Sequence, residues 1–234
     1  MDNRTKDDFL NGQLLLIDKP LGWSSFQAVN KLKWAIRKKF GLKKIKIGHA
    51  GTLDPLATGL LLICTGKFTK TIPELQGQAK EYTGIVTLGA TTPSYDLETE
   101  IDQSYPIDHI TEGAIHDAAN SFIGNIEQRP PVFSAIKKDG KRLYEYARKG
   151  EQVEIKTRTV HITAFEITQI NFPDVHFRIA CSKGTYIRSL AHDLGLKLRS
   201  GAHLTELRRT KIGDYNVNNA LDPNVFAENL LGPS

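Results

Sequence analysis

Asp54 is the one acid in a stretch that cannot relax into regular structure, Gly48-His49-Ala50-Gly51-Thr52-Leu53-Asp54-Pro55-Leu56-Ala57-Thr58-Gly59. Three glycines and a proline in twelve residues oppose a helix or strand. Glycine admits unusual backbone angles and close ligand approach, and proline fixes its own φ. A carboxylate on so stiff a loop can attack an electrophilic carbon or orient a hydroxyl, and needs no metal for either. The spacing equally fits a turn whose aspartate caps local amides. An ionised aspartate in a site closed by a nucleobase needs a compensating cation. Arg188, four residues beyond Gly184, is the leading candidate. Its fork can hold a carboxylate through two hydrogen bonds and stays charged at any working pH. The bland alternative is a surface residue of a helix.

Further groups have two readings each. Tyr82 reads as a core tyrosine, or as a ring that stacks on a displaced base while its hydroxyl helps move a proton. His49 could meet a phosphate or a base, or make local hydrogen bonds only. Lys19, between a strand and Pro20, suits a rigid polar contact. Lys137, Lys183, Arg208 and Arg209 could extend a phosphate track. Asp54 and Glu81 could form a glycosidase pair, but nothing fixes their separation and Glu81 faces away from Tyr82 on one strand. The seven histidines are scattered without metal-ligand spacing, so neither a metal nor a cofactor is expected.

The elements that must position these groups belong to a chain of 234 residues, 40% apolar and 24% charged, as in a soluble globular protein. The net charge of +5 is unevenly spread. Residues 31–46 hold eight Lys or Arg and no acid, whereas residues 81–128 hold nine Asp or Glu and no Lys or Arg. That asymmetry suggests one face for an anionic partner and one for solvent. Cys64 and Cys181 lie in apolar or alternating stretches and read as buried thiols. No apolar signal core follows Met1 and no run approaches membrane-spanning length, so a cytoplasmic protein without membrane contact is expected.

Leu14 to Ile17 reads as a strand stopped at Pro20 and Gly22, and Ser24 or Ser25 can cap the next helix. Phe26, Val29, Leu32, Ile36 and Phe40 predict its apolar stripe. Lys43 to Ile47 alternates like a short strand, and Leu60 to Cys64 reads as a buried one. A strand from Lys80 to Leu88 puts Tyr82, Val86 and Leu88 on one face, and residues 91–102 read as a polar excursion loop. A helix is expected near residues 111–122, and a short one after Asp139-Gly140 through Leu143, Tyr144 and Ala147. Two strands follow, the first with a bulge near Ala164 and the second alternating from Val175 to Cys181. Then come a helix through Ile187, Leu190, Ala191 and Leu194, a strand from Leu204 to Ile212, and a short tail. The pattern is α+β.

Taken together, these motifs resemble the bacterial tRNA pseudouridine synthase B family. The match covers roughly residues 12–213 and includes Asp18-Lys19-Pro20-Leu21-Gly22, the Asp54 stretch, Lys80-Glu81-Tyr82, and Gln128-Arg129-Pro130-Pro131 through Lys137. Lys183-Gly184-Thr185-Tyr186-Ile187-Arg188 and Leu204-Thr205-Glu206-Leu207-Arg208-Arg209 complete it. The resemblance implies a pseudouridine synthase fold, a mixed, largely antiparallel sheet with flanking helices and a central RNA-binding cleft. It implies isomerisation of uridine 55 in the tRNA T loop by base flipping. Asp54 would be the catalytic group, Arg188 its ion-pair partner and Tyr82 the active-site aromatic. Leu207 would pack on the flipped base, Lys19 would support the site, and His49 would approach the base or its phosphate. A single catalytic domain over residues 1–234 is expected, with a short tail and no added RNA-binding module. The expected partner is the tRNA T stem-loop, bound by a monomer with no obligate protein partner. A silent RNA-binding protein, or a synthase for another RNA, are the alternatives. The stretch Thr92-Pro93-Ser94-Tyr95-Asp96, with Thr99 near an expected glycine, departs from the family pattern.

Overall fold

The computed structural model describes residues 3–134, 137–138, 141–142, 146 and 155–232. In chain order the elements are α1 (Lys6–Asn11), β1 (Leu14–Lys19), α2 (Ser25–Phe40), β2 (Ile47–His49), β3 (Ala57–Thr65), α3 (Ile72–Gly77), β4 (Lys80–Leu88), β5 (Ala90–Thr91) and β6 (Gln103–Ser104). They continue as α4 (Glu112–Asn120), β7 (Gly124–Gln128), β8 (Lys137–Lys138), β9 (Lys141–Arg142), β10 (Arg158–Asn171), β11 (Asp174–Cys181), α5 (Ile187–Lys197), β12 (Ala202–Ile212), β13 (Tyr215–Asn216) and α6 (Pro223–Leu231). The chain forms two compact units, one of residues 1–82 and 207–234 and one of residues 83–206. Strands β4 and β12 pair with each other and run through both. The α+β class holds: β3 pairs antiparallel with β1 and β2, β10 pairs antiparallel with β7 and β11, and β3 pairs parallel with β12.

In the first unit β1, β3 and β12 lie in that order. Leu14 to Lys19 pair antiparallel with Cys64 to Gly59, and Leu207 to Arg209 pair parallel with Ala57 to Gly59. Strand β3 is buried on both faces, which is why it reads as a continuous apolar run. Leu61 and Ile63 point to a core with Val29, Leu32, Ile36 and Phe226, while Leu60, Leu62 and Cys64 point to a second with Ile212 and Val217. Gly59 has φ +102°, and a Cβ there would come within 2.3 Å of the Arg209 carbonyl. Only glycine lets these two backbones approach so closely.

Two expectations fail in this unit, and the tail adds an element. Phe26 is 69% exposed, because Ser25 and Ala28 fill the inner face at the start of α2. Residues 43–46 form no strand, and pairing with β3 begins only at Ile47. The tail is folded: Asp222 caps α6, whose Phe226, Ala227 and Leu230 complete the core against α2.

In the second unit β4, β11, β10 and β7 lie in order. The β10–β11 register shifts between Ile162 and Ala164, at the anticipated bulge. Phe165 packs with Phe122 and Phe177 in the core. Residues 91–102 depart from a simple excursion loop, since β5 pairs with β6 and Thr91, Thr92, Ser94 and Asp96 are buried. The helix expected after Asp139-Gly140 lies outside the described residues.

Candidate active site

The Asp54 loop leaves β2 at His49 and enters β3 at Ala57, so the two strands occupy both ends of the glycine-rich stretch. Its middle is irregular yet fully tied. The Arg209 guanidinium donates to the Gly51 carbonyl at 3.1 Å and the Thr52 carbonyl at 3.4 Å. Ser25 Oγ brackets Leu53, accepting its amide N–H at 2.8 Å and donating to its carbonyl at 3.0 Å. Ala57 N–H closes a turn on the Asp54 carbonyl at 3.1 Å, and Gly22 N–H reaches the Pro55 carbonyl at 2.9 Å. Every carbonyl from Gly51 to Pro55 therefore accepts a hydrogen bond, and the half-exposed Asp54 side chain stands on a backbone that cannot drift. Fixing a reacting group in this way removes the entropy of orienting it during reaction.

Lys19 is fully buried, and its ammonium donates to the carbonyls of Trp23 at 2.6 Å, Pro20 at 3.0 Å and Pro55 at 3.4 Å. Three N–H donors meet three acceptors, so the charge is satisfied by backbone dipoles. Burial lowers the lysine to about 8, the Asp54 charge opposes that fall, and Arg209 adds to it. Burial also pushes His49 below its ordinary range, against the Gly51 backbone and with the help of Arg209. Burial thus disfavours the charged imidazole. Among the described residues its buried Nδ1 has no hydrogen-bond partner.

The adjacent arginines of β12 split, as successive strand residues must. Arg209, expected on a phosphate track, is 1% exposed and its guanidinium donates to the carbonyls of Leu60, Thr52 and Gly51. Arg208 is partly exposed, but its fork closes on Asp18 at 2.6 and 3.0 Å. Leu207, half-exposed, pairs with Ala57, three residues beyond Asp54. Tyr82 is 8% exposed at the end of the first unit's part of β4. Glu81, on the other face, accepts from Thr210 and Lys211. Ser25 was legible as a cap, but Ser24 takes that task with a capping box and frees Ser25 for Leu53.

In the second unit Arg188 opens α5 and is 3% exposed. It donates to the Phe133 carbonyl at 2.9 Å and the Ser94 carbonyl at 3.1 Å, and its Nε lies 3.5 Å from an Asp96 oxygen. Between Ser94 and Asp96, Tyr95 takes φ +64° and stacks on His192 at 4.0 Å. That ring contact holds the loop that departs from the family pattern. Lys183 is exposed on the turn before Gly184, and Lys137 lies in β8, paired with Arg142.

Residues 37–187 match the TruB family pseudouridylate synthase N-terminal domain, and residues 188–229 match the tRNA pseudouridylate synthase B C-terminal domain. The tRNA pseudouridine synthase B of Flavobacterium johnsoniae is 67% identical over 227 residues, covering 97% of this chain and 99% of that protein. The tRNA pseudouridine synthase B of Phocaeicola vulgatus is 56% identical over 221 residues, covering 94% of each chain. Among solved structures, one of a Cbf5-Nop10-Gar1 complex aligns with a TM-score of 0.69 and 32% identity over 93% of this chain and 54% of that one. An H/ACA RNP bound to a substrate RNA containing 2'-deoxyuridine aligns with a TM-score of 0.62 and 30% identity, covering 89% and 49%. The chain spans about half the length of those two solved chains.

Proposed function

The chain belongs to the TruB family of pseudouridylate synthases, and on that premise we propose that it converts uridine 55 in the T loop of tRNA to pseudouridine, with Asp54 as the essential group. The observation that carries the assignment is the backbone lock from Gly51 to Pro55, which holds one carboxylate in a fixed place. The target uridine leaves its stack, at a cost of about a few kcal/mol, offset by stacking and phosphate contacts. Asp54 promotes cleavage between ribose C1′ and uracil N1. The uracil turns while held, C5 bonds to C1′, the C5 proton departs and N1 carries a proton. Nothing is hydrolysed or oxidised.

In this reading Tyr82 stacks on the base and assists proton movement, Leu207 packs against it, and Lys19 steadies the loop. Arg188 serves Asp54 as its ionic partner during the reaction, and Lys183 and Lys137 meet RNA phosphate. The protein acts as a cytoplasmic monomer on the T stem-loop. The test is Asp54→Asn, assayed for pseudouridine in a T-stem-loop RNA under single-turnover conditions. The expected result is no product with binding retained; wild-type rates would remove Asp54 from the chemistry.

A further inference from the structure

Helix α2 does two jobs at its two ends. Its first residue, Ser25, clamps Leu53 beside the catalytic aspartate. Farther along, its solvent face carries cations without an acid, and residues 31–46 contain none. At 1.5 Å per residue, Trp34 lies about 13 Å along the axis from Ser25, and Arg37 and Lys38 about 18–20 Å. Trp34 is 48% exposed, with Lys38 Nζ 5.0 Å and Lys31 Nζ 5.5 Å from the ring centre. Asn30, Lys33, Trp34, Arg37 and Lys38 line an open groove of about 640 Å³. Arg37 Nε donates to the Leu42 carbonyl, which fixes its guanidinium along that groove.

We infer that this face of α2 is a second RNA-contact surface, which takes unpaired nucleotides of the tRNA outside the T stem-loop. The inference rests on the proposed substrate. An exposed aromatic ring amid cations matches the way proteins hold unpaired nucleic acid, with bases stacked on the ring and phosphates on the charges. A paired stem offers its phosphates but no free base face to Trp34, and the T loop is occupied at Asp54. The incoming base displaces an ammonium from the ring, and that ammonium moves to the adjoining phosphate.

The test compares two RNAs, full-length unmodified tRNA and the isolated T stem-loop hairpin, in a salt series. Lys33→Glu with Lys38→Glu should weaken tRNA binding at least about tenfold and reduce the slope of log K against log salt by about two. Hairpin binding should stay within about twofold. Trp34→Ala should weaken tRNA binding about tenfold with the slope unchanged, and Trp34→Phe should restore it. Unchanged tRNA affinity overturns the inference and leaves the face to a protein or to solvent. Equal weakening on both RNAs also overturns it, because the contact would then lie within the T stem-loop. Pseudouridine formation in the hairpin should be unchanged in all these variants. A wild-type protein that makes no pseudouridine there would defeat the proposed function, while the tRNA-against-hairpin comparison would still decide this surface.

Discussion

Among the described residues two arginines are almost wholly buried, one in each unit, and they are held differently. Arg209 meets three backbone carbonyls, two of them within the Asp54 loop. Arg188 meets two carbonyls and lies beside the Asp96 carboxylate. A guanidinium satisfied by carbonyls acts as a peg: it fixes backbone whatever the protonation of its surroundings. A guanidinium beside a carboxylate has its field partly compensated, and small movements of that carboxylate change what remains. Arg209 is thus placed to hold position, whereas the charge of Arg188 is partly offset by Asp96.

The largest effect should come from removing the peg. Arg209→Met strips the donors from three carbonyls, at about 1–3 kcal/mol for each group left unsatisfied. Urea unfolding should show a loss of about 3 kcal/mol or more, together with collapse of activity. Arg209→Lys, with fewer donors, should fold yet lose most of its kcat. If Arg209→Met were as stable as the parent, the peg would not exist.

Asp96→Asn should follow. It keeps a hydrogen-bonding group beside Arg188 but deletes the charge, so kcat should drop about tenfold, worth about 1.4 kcal/mol of barrier, with KM little changed. A change confined to KM would move Asp96 from setting charge to binding RNA.

Ser25→Ala removes both clamps on Leu53 and should cost about 1–2 kcal/mol of stability with a several-fold loss of kcat. Wild-type kinetics would show that Arg209 and Lys19 suffice to hold the loop.

The smallest effect is one of pH. Burial raises Asp193 to about 6, above its ordinary 3.8. The folded state therefore holds the extra proton between those values, and stability falls as pH rises through that window. Asp193→Asn should abolish the slope and raise Tm by about 2 °C at pH 7.5, with no difference below pH 3.8. Lys19 behaves as the mirror case: lowered to about 8, it makes the fold relatively more stable as pH rises from there towards 10.5. Flat Tm profiles in both windows would contradict the burial of these charges.

Much of the scaffold was legible because strict alternation leaves one solution. Val175, Phe177, Ile179 and Cys181 alternate and all four are buried on β11. The Asp54 loop was legible from its glycines and proline. What pinned it was legible only in part: Lys19 read as a rigid polar contact, but the carbonyls that Arg209, Ser25 and Lys19 hold cannot be read from side-chain types. Adjacent arginines on a strand require one to face inward, but alternation alone does not say which. The α6 helix did carry a signal, an Asp222 cap before Pro223 with Phe226, Ala227 and Leu230 at helical spacing. Residues 43–46 carried a false one, since alternation makes a strand only where a neighbour supplies hydrogen bonds.

Pseudouridine mapping in total tRNA bears most directly on the role of Asp54. In cells lacking the gene, pseudouridine at position 55 should vanish, return with the intact chain, and stay absent with Asp54→Asn. Return of the modification with that variant would contradict the account.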